Sequence, residues 1–414
     1  EEGQVMAQFP KGETAPQDGL LPEQAKLNVE LRTFHAYIHV PFCKARCGYC
    51  DFNTYTAQEI GSSSQHTFAK DLIAEIDFSK QVLENSGVPQ RSFSTVFFGG
   101  GTPTLLPPED LILMLQKIRD SFGIEAEADI TTEANPDAVD VDYLFKLKAA
   151  GFTRVSIGMQ SAVPKVLAVL ERTHNPENVA IAVRAAKNAG LATSVDLIYG
   201  TPTETIDDWV ETLQQAISLD TDHISAYSLI VEPGTKLARQ VKVGEVEMPD
   251  DDIHAEMYEA ADELLTKAGF TNYEVSNWSK SVETRSKHNL AYWKSMDWWG
   301  YGPGAHSHMG GVRWWNVKNP AAYTDRITAS QSPALERELI DQENQDIERV
   351  MLETRLAEGI DLAWLKSKGF GSQEVISNLI AEQLIDGPTV FSGTIRLTTK
   401  GRLLADFVVR NLIG

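Results

Sequence analysis

The sequence predicts an α/β fold in which about six strand–helix units form three quarters of a parallel, TIM-like barrel. One observation behind this prediction is the regular alternation of short apolar stretches with amphipathic stretches between residues 35 and 270. Another is that glycine and polar residues follow the predicted strands, where parallel α/β sheets bind ligands. The third is that all three cysteines of the chain lie in HVPFCKARCGYCDF (39–52), directly after the first predicted strand.

The strand–helix units follow one another in a regular order. After the strand that leads into the cysteines, STVFFGGGTP (94–103) is an apolar strand that ends in three glycines. The next stretch has apolar residues at helical spacing behind Pro107 and Pro108, which are typical of a helix start. The remaining predicted strands are ADITTEANP (128–136), TRVSIGMQS (153–161), ATSVDLIYGTP (192–202) and DHISAYSLIVEPG (222–234). Helices are predicted between them at about 140–150, 175–190 and 205–219.

Three further segments are predicted around the barrel, which is assigned to residues 34–270. Residues 1–33 are polar with scattered proline and glycine, a composition that predicts disorder. Residues 271–330 are predicted to extend the edge of the barrel, and they contain the motif HNLAYW. Residues 331–414 are predicted to form a mainly α domain that ends in a β-hairpin and a helix, an order that resembles a winged helix.

Charge and hydropathy exclude two kinds of partner. The chain has 37 Lys and Arg against 58 Asp and Glu, a net charge of −21, and residues 331–414 have 9 against 13. Because binding to a nucleic acid depends on neutralising phosphates, no nucleic-acid partner is expected. No stretch approaches the roughly 18 apolar residues of a membrane span, and the acidic first residues do not resemble a secretory signal. We therefore expect a cytoplasmic protein with no transmembrane segment.

The spacing of Cys43, Cys47 and Cys50 predicts a metal site. An odd number of cysteines argues against a disulfide framework, and clustered reduced thiols suit a metal. One interpretation is a zinc site completed by His39, although structural zinc sites usually join two separated pairs of ligands. The other is a [4Fe–4S] cluster, in which three thiolates hold three irons and leave the fourth iron open to another ligand. The placement of all three thiols on one short loop favours the cluster.

The same loop resembles that of the radical S-adenosylmethionine (SAM) superfamily. The resemblance rests on the C-x3-C-x2-C spacing, the aromatic Tyr49 before the last cysteine and the preceding strand. It implies that SAM chelates the open iron, and that an electron from the cluster can break a C–S bond of SAM. Acidic groups would suit the ribose hydroxyls and the ammonium group of SAM, and an arginine its carboxylate. The residues implied to contact SAM are Tyr37, Tyr49, Gly100, Gly101, Thr102, Glu133, Gln160, Arg172 and Asp196.

A narrower resemblance covers roughly residues 35 to 410. The motifs YIHVPFC, GGGTPT, GMQS, DLIYGTPTET and EPGT together resemble the oxygen-independent coproporphyrinogen III oxidase family. True oxidases of that family carry a further cysteine two positions after the last ligand, where this chain has Phe52. Phe52, Asn53 and HNLAYW (288–293) instead resemble a sister branch of heme chaperones, which bind heme and deliver it to respiratory heme proteins.

This resemblance implies a heme-binding chaperone on a radical SAM scaffold. Its expected partners are heme, an acceptor heme protein and, if the cluster is reduced, a reductant protein. One alternative is the oxidative decarboxylation of coproporphyrinogen III in heme biosynthesis, and another is a zinc-stapled barrel with an unrelated substrate. Because Phe52 stands where the oxidases have their extra cysteine, coproporphyrinogen turnover is expected to be absent or marginal.

The HNxxYW motif supplies the predicted heme-binding residues, which are His288, Asn289, Tyr292 and Trp293. His288 and Tyr292 share a face of a helix, and imidazole is a common ligand of heme iron. Five of the eight tryptophans lie between residues 293 and 315, and flat rings suit a flat macrocycle. His306 and His308 are alternative iron ligands, and Arg313 suits a propionate. Residue chemistry alone favours a packed tryptophan-rich seam around a hydrogen-bonded His288, whereas the resemblance favours heme.

Overall fold

The N-terminal segment is ordered because it packs on and pairs with distant parts of the chain. The computed structural model describes residues 12–60 and 63–414. Strand β1 (Glu13–Thr14) pairs in an antiparallel manner with residues 336 and 337, and two short 3₁₀ helices follow, with Ala25 and Val29 buried. The disorder predicted for 1–33 is therefore wrong for residues 12–33, and residues 1–11 lie outside the described residues. Composition missed this order because the pairing strand and the covering core come from elsewhere in the chain.

Six parallel strands form the centre of the sheet. They are β2 (Phe34–Val40), β3 (Phe93–Gly100), β4 (Ile124–Ala134), β5 (Arg154–Gln160), β6 (Ala192–Tyr199) and β7 (His223–Ser228). Each pairs with the next strand in chain order and runs in the same direction. Parallel neighbours need long crossover connections, and each of these contains at least one helix. The predicted run of six strand–helix units is confirmed.

Six helices pack against this sheet and contribute to the main core. They are α2 (Ser63–Asn85), α3 (Pro108–Phe122), α4 (Val141–Ala150), α6 (Pro176–Ala189), α7 (Ile206–Ser218) and α9 (Asp251–Lys267). The short helices α1 (Ala57–Ile60), α5 (Pro164–Val169) and α8 (Lys236–Lys242) lie in the segments that follow β2, β5 and β7. In α3, Pro108 occupies the first turn, where no intrahelical N–H bond is lost, and Gly123 ends the helix. Leu111, Leu115 and Ile118 of α3 are fully buried in the main core, and each such burial stabilises the fold by about 1.5–3 kcal/mol.

Further strands extend the sheet at both edges. Beyond β7 lie β9 (Asn277–Ser279) and β8 (Thr271–Glu274), both antiparallel. Beyond β2, the parallel strand β10 (Asp297–Tyr301) is followed by the antiparallel strands β11 (His306–Met309), β12 (Val312–Asn316) and β13 (Ala334–Leu339). Helix α10 (Lys287–Trp293) connects the two edges, and α11 (Pro320–Thr328) contacts α2 through a hydrogen bond from Tyr323 to Glu75 (2.6 Å).

The C-terminal residues form a second, smaller core. Their elements are α12 (Gln342–Glu353), β14 (Ile360–Asp361), α13 (Leu362–Ser367), α14 (Gln373–Ala381), α15 (Gly387–Phe391), β15 (Thr394–Ile395), α16 (Thr399–Leu403) and α17 (Ala405–Ile413). An ion pair between Arg402 and Asp262 of α9 (2.6 Å) ties this core to the barrel. No helix in the described ranges is long and apolar enough to cross a membrane.

The β-hairpin predicted near the C-terminus is wrong. The residues of its first predicted strand form helix α15, and β15 pairs with the distant β14. Asp386 caps α15 by accepting a hydrogen bond from the backbone of Thr389, and Pro388 lies in its first turn. These two helix-start signals outweigh the β-branched run that suggested a strand.

Alternation along the central strands separates an outer apolar face from an inner polar face. In β5, Val155 and Ile157 are fully buried in the hydrophobic core. The intervening Ser156 instead donates a hydrogen bond to the carboxylate of Asp196 on β6 (2.8 Å). Side chains at alternate positions therefore converge on the interior of the curved sheet, and the main cavity of the protein opens there.

Candidate functional site

A cavity of about 830 Å³ lies at the carboxyl ends of the parallel strands. Its wall contains the three cysteines, residues from the inner faces of β3 to β7 and one face of α10. This volume lies in the range of roughly 300–1,000 Å³ that is typical of ligand sites. The position agrees with the general location of sites in parallel α/β sheets.

The cysteines lie on a loop whose base is fixed by backbone pairing. After β2 ends, the amide of Cys43 donates to the carbonyl of Tyr55 (3.0 Å), and the amide of Tyr55 donates to that of Pro41 (2.7 Å). Within the loop, the amide of Cys50 donates to the carbonyl of Cys47 (3.2 Å). All three thiols are unpaired and partly exposed to the cavity. The loop therefore presents three potential ligands from a pinned base.

Burial disfavours the thiolate form of two of the three cysteines, Cys43 and Cys50. Burial, followed by the charge of Cys50, raises the pKa of Cys43 to about 11, and burial also raises the pKa of Cys50. Binding of a thiophilic metal releases such protons, since the thiolate is the ligand. In the described part of the chain, no three His, Cys, Asp or Glu side chains are gathered closely enough for a single metal ion. In a [4Fe–4S] cluster, by contrast, each thiolate binds a different iron.

His39 is engaged in the protein interior. Its Nδ1 is hydrogen-bonded to the hydroxyl of Tyr37 (2.9 Å), as the alternation along β2 predicts, and its Nε2 to the carbonyl of Asn53 (2.8 Å). The side-chain amide of Asn53 in turn donates to the backbone carbonyls of Pro303 (3.0 Å) and Lys318 (2.9 Å). Both ring nitrogens of His39 are hydrogen-bonded, and His39 does not line the cavity that the three cysteines face, so the structure does not bring it to them as the fourth ligand of a Cys3His zinc site. His39 and Asn53 instead anchor the cysteine loop to the extended sheet edge.

The three glycines after β3 allow two backbones to lie side by side. The amide of Gly101 donates to the carbonyl of Val40 (2.8 Å), and the amide of Thr102 donates to that of Phe42 (2.7 Å). A Cβ atom on Gly101 would overlap the Phe42 carbonyl oxygen. Gly100 has a φ of +108°, and its amide donates to the Glu133 carboxylate (3.2 Å). Glycine is therefore required here for the close approach of the cysteine loop.

Replacement of Gly101 by alanine is expected to disturb this contact. Because the added methyl group meets backbone, which cannot move aside as a side chain can, we expect a loss of about 1–3 kcal/mol of stability. The incorporation of iron should fall with it, since the cysteine loop must shift. Denaturant unfolding and iron analysis after anaerobic reconstitution measure both effects.

Gly387→Ala is the matched control for this substitution. A Cβ atom at Gly387 would have its nearest neighbour at 3.5 Å, on the side chain of Ile380. If Gly101→Ala had the same stability and iron content as Gly387→Ala, the close approach of the two backbones would not explain why position 101 is glycine.

Two half-buried carboxyl groups, those of Glu133 and Asp196, share the inner wall of the cavity. Burial, with the neighbouring charge of Asp196, raises the pKa of Glu133 to about 8, so this carboxyl is mostly protonated at neutral pH. Burial also raises the pKa of Asp196, although Ser156 donates a hydrogen bond to it. Glu133 lies at the carboxyl end of β4, whereas Asp196 lies within β6, two strands along the sheet. A ligand with an ammonium group or hydroxyl donors would stabilise their ionised forms.

Arg172 lies beyond the end of β5 in the sequence but reaches the cysteine loop. Its Nη1 is 3.8 Å from the Cys47 sulfur, and its Nη2 donates to the carbonyl of Gly158 (3.0 Å). Its Nε is buried and has no hydrogen-bond partner among the described residues. Gln160 has a φ of +64°, a strained conformation that costs on the order of 1 kcal/mol or more in a non-glycine residue. Both side chains line the cavity, as the sequence predicts.

Two aromatic side chains of the cysteine loop have different environments. Tyr49 lines the cavity and packs beside a small apolar cluster that includes Val166 and Leu229. Phe52 also lines the cavity, but 60% of its surface is exposed. Position 52 thus lies at the rim of the cavity, where an additional thiol would be accessible to a ligand.

Helix α10 brings most of the HNxxYW motif to the same cavity. His288, Asn289 and Tyr292 line it, whereas Trp293 does not. His288 is 2% exposed and stacks on Phe97 at 5.0 Å between ring centres. Its Nδ1 is hydrogen-bonded to Thr95 Oγ1 (2.6 Å) and its Nε2 to the Tyr292 hydroxyl (2.8 Å). The structure therefore brings His288 together with the cysteines in one cavity, in the hydrogen-bonded form that residue chemistry suggested.

The tryptophans do not form one flat aromatic surface. Trp298 packs against Tyr292 (4.7 Å), while the next residue, Trp299, is buried against Trp314 (5.0 Å) among the core residues of the sheet. Trp315 lies against His306 on β11. Consecutive residues of a strand point to opposite faces, so adjacent tryptophans are separated by the sheet.

The other predicted heme contacts of this region are engaged elsewhere. His308 bonds through both ring nitrogens, to the carbonyl of Met296 (3.0 Å) and to the amide of Gly311 (3.1 Å). Arg313 is paired with Glu338 (3.1 Å) and Glu348 (2.8 Å). Neither side chain lines the main cavity. His306, in contrast, is exposed.

Sequence reasoning missed the polar interior below the strand ends. His223 bonds to Ser194 (2.8 Å) and to the Tyr273 hydroxyl (2.7 Å), and it lines the cavity together with Ser225 and Arg154. These residues occupy inner positions of β5, β6 and β7. Polar residues at alternate positions of otherwise apolar strands were the signal that would have located them.

Comparison with known proteins identifies the family of this chain. The radical SAM superfamily model matches residues 37–216. The chain is 44% identical over 382 residues to the heme chaperone HemW of Mycobacterium tuberculosis, a match that covers 92% of this chain and 95% of that protein. The chain belongs to the heme chaperone HemW family. The HemW of Bacillus subtilis is 32% identical over 383 residues, which cover 92% of this chain and 99% of that protein.

The fold of this HemW family member is shared with a solved radical SAM enzyme. The structure of coproporphyrinogen III oxidase (HemN) from Escherichia coli matches with a TM-score of 0.78 and 21% identity, covering 97% of this chain and 95% of that chain. The predicted α/β radical SAM fold, with its parallel run of six strands and additional C-terminal helices, is therefore confirmed. The resemblance to the heme chaperone branch is also confirmed. The HNxxYW prediction rested on that resemblance.

Proposed function

We propose that this protein binds heme and delivers it to respiratory heme proteins, on a scaffold that carries a [4Fe–4S] cluster and SAM. The observation that carries the proposal is that the cysteine loop and His288 of the HNxxYW motif line one cavity. The heme chaperones of Mycobacterium tuberculosis and Bacillus subtilis each match along 92% of the chain, so both features lie within the region shared with them. The expected cellular location is the cytoplasm.

The donor set of the cavity fits a cluster with bound SAM. We assign Cys43, Cys47 and Cys50 as the three cluster ligands, which leaves one iron for SAM. The cluster and SAM together supply reductive cleavage of a sulfonium C–S bond when an electron donor is present. The partnerless Nε of Arg172, near the sulfur of Cys47, suits a carboxylate at that position.

The remaining cavity residues suit the other parts of SAM. Glu133 and Asp196 are half-buried acceptors for an ammonium group or ribose hydroxyls, and ligand binding would offset the desolvation that raises their pKa values. The backbone of the glycine loop, held beside the cysteine loop, offers polar groups to the methionyl end. The residues that we assign to SAM are Tyr37, Tyr49, Gly100, Gly101, Thr102, Glu133, Gln160, Arg172 and Asp196.

Heme is proposed to bind in the cavity beside α10. His288 is the proposed axial ligand, with Asn289 and Tyr292 beside it on the cavity wall, whereas Trp293 completes the motif at the end of α10 without lining the cavity. For this role the Nε2 of His288 must exchange its hydrogen bond with Tyr292 for the iron. The exposed Phe52 adds an apolar group at the rim of the same cavity, where a macrocycle would enter.

A direct experiment tests this function with hemin as the probe. One hemin per chain should bind, with a defined Soret band, and should then be transferred to the apo form of a respiratory heme protein that has a different spectrum. Binding without saturation, or a rate of transfer equal to that of free hemin, would contradict the chaperone function.

Coproporphyrinogen III turnover is expected to be absent or marginal. The oxidases that this chain resembles have a cysteine at the position of Phe52, which lies at the cavity rim. Anaerobic incubation with SAM, a reductant and coproporphyrinogen III, followed by porphyrin analysis, measures the activity. Phe52→Cys is the matched variant, because it adds the thiol and should leave the iron content unchanged. Multiple turnovers to protoporphyrinogen by the unmodified protein would instead support the oxidase function.

A further inference from the structure

A continuous chain of hydrogen bonds runs beneath His288 to the surface of the barrel. The Tyr292 hydroxyl bonds to His288 Nε2 (2.8 Å), and His288 Nδ1 bonds to Thr95 Oγ1 (2.6 Å). Thr95 Oγ1 also bonds to Nδ1 of His35 (2.8 Å), whose Nε2 bonds to Thr33 Oγ1 (2.7 Å). Thr33 is exposed, whereas His35, Thr95 and His288 are 3%, 0% and 2% exposed.

The direction of donation along this chain of hydrogen bonds follows from which of its groups can donate and which can accept. Among the described residues, the Tyr292 hydroxyl is hydrogen-bonded to Nε2 of His288. A phenol is a much stronger acid than a neutral imidazole N–H, so the hydroxyl donates and Nε2 accepts. A neutral imidazole has one donor and one acceptor nitrogen, so the Nδ1–H of His288 then donates to Thr95.

The same reasoning continues to the surface. The Thr95 hydroxyl accepts a hydrogen bond from the Nδ1–H of His288. It donates its own hydrogen to Nδ1 of His35 in its second hydrogen bond. His35 must then carry its proton on Nε2 and donate it to Thr33, whose exposed hydroxyl can donate to solvent. With every ring nitrogen and hydroxyl of this chain engaged, donation runs in a single direction from Tyr292 to Thr33.

We propose that Thr95 and, behind it, His35 are positioning residues that hold His288 as the Nδ1–H tautomer, with the lone pair of Nε2 directed into the cavity for an iron. This inference rests on the proposed heme site and extends it to the residues that make His288 a competent ligand. Metal-bound histidines commonly donate their second N–H to a fixed acceptor, which sets both the tautomer and the ring orientation. Stacking on Phe97 holds the plane of the same ring.

Thr95→Val is the variant that tests the inference. It keeps the shape of the side chain but removes the acceptor of the Nδ1–H bond, and we expect hemin to bind about 10- to 100-fold more weakly. Thr95→Ser, which retains a hydroxyl, should restore binding. Thr132→Val is the matched control, because Thr132 is equally buried on the neighbouring strand and bonds to a backbone carbonyl rather than to a histidine.

A second measurement reads the tautomer without heme. Nitrogen-15 NMR of the histidine-labelled apo protein, with His288 assigned from the His288→Ala variant, should show a protonated Nδ1 and an unprotonated Nε2. A protonated Nε2 would overturn the inference, as would hemin binding by Thr95→Val at the affinity of Thr132→Val. If His288→Ala bound hemin with an unchanged spectrum, the proposed ligand itself would be wrong. If His288→Ala altered the spectrum and Thr95→Val did not alter affinity, the positioning role alone would be rejected.

Discussion

A variant in which Cys43, Cys47 and Cys50 are all replaced by serine is expected to lose the brown chromophore and the bound iron completely. The serine hydroxyl keeps its proton near neutral pH and is a poor ligand for iron, whereas the thiol loses its proton when it binds. These are the only three cysteines of the chain, so no other thiol can replace them. Iron and sulfide analysis after anaerobic reconstitution, together with the visible spectrum, measures the loss.

The loss of iron should leave the fold intact. The thiols are partly exposed to the cavity, and the base of their loop is held by backbone bonds of Cys43 and Tyr55 that serine preserves. The circular dichroism spectrum and the unfolding midpoint of the triple serine variant should therefore match those of the unmodified protein from which the cluster has been removed. Iron and sulfide content at the unmodified level in the triple variant would refute the cluster assignment. Zinc in place of iron in the unmodified protein would support the zinc-site alternative instead.

His288→Ala is expected to change the Soret band of the hemin-loaded protein and to weaken hemin binding by at least about tenfold, or roughly 1.4 kcal/mol. The iron–sulfur content should stay normal, because the contacts of His288 are with Thr95, Phe97 and Tyr292 rather than with the cysteine loop. The free energy of unfolding should also fall by about 1–3 kcal/mol, since Thr95 and Tyr292 each lose a buried partner. Absorption titration with hemin and denaturant unfolding separate the two effects.

The control for this substitution is His308→Ala. His308 is also a buried histidine with both ring nitrogens in hydrogen bonds, but it does not line the cavity. The His308→Ala variant should lose stability to a similar extent, but its hemin-loaded form should keep the Soret band of the unmodified protein. An unchanged spectrum and stoichiometry in His288→Ala would reject His288 as the ligand, and the exposed His306 would be the next residue to replace.

The central fold was predictable because its signals are local. Helix α3 has apolar residues at helical spacing between a proline in its first turn and a terminal glycine, and β5 alternates apolar outer residues with polar inner ones. Six repetitions of such a pair leave few arrangements other than a parallel sheet covered by helices. In contrast, α15 was misread as a strand because its cap and proline compete with a β-branched run of similar length.

Much of the candidate site was predictable for a related reason. The glycines after β3, Glu133 at the end of β4 and Asp196 in β6 are far apart in sequence, but the carboxyl ends of parallel strands meet at one edge. The structure places them in one cavity with the cysteines. Arg172 lies outside this rule, since it follows the end of β5 by several residues and reaches Cys47 through the folding of the intervening segment.

The sequence by itself determined the strand–helix order, the three-thiol loop, the polar strand ends and the family to which the chain belongs. The tertiary structure alone decided that α10 lies against the barrel interior, that Thr95 and His35 support His288, and that the tryptophans are divided between two faces. It also decided that residues 12–33 are ordered by pairing with β13. The physical reason is the range of the interactions. Periodicity and caps act within one element, whereas these contacts join residues such as Thr95 and His288, which are 193 positions apart.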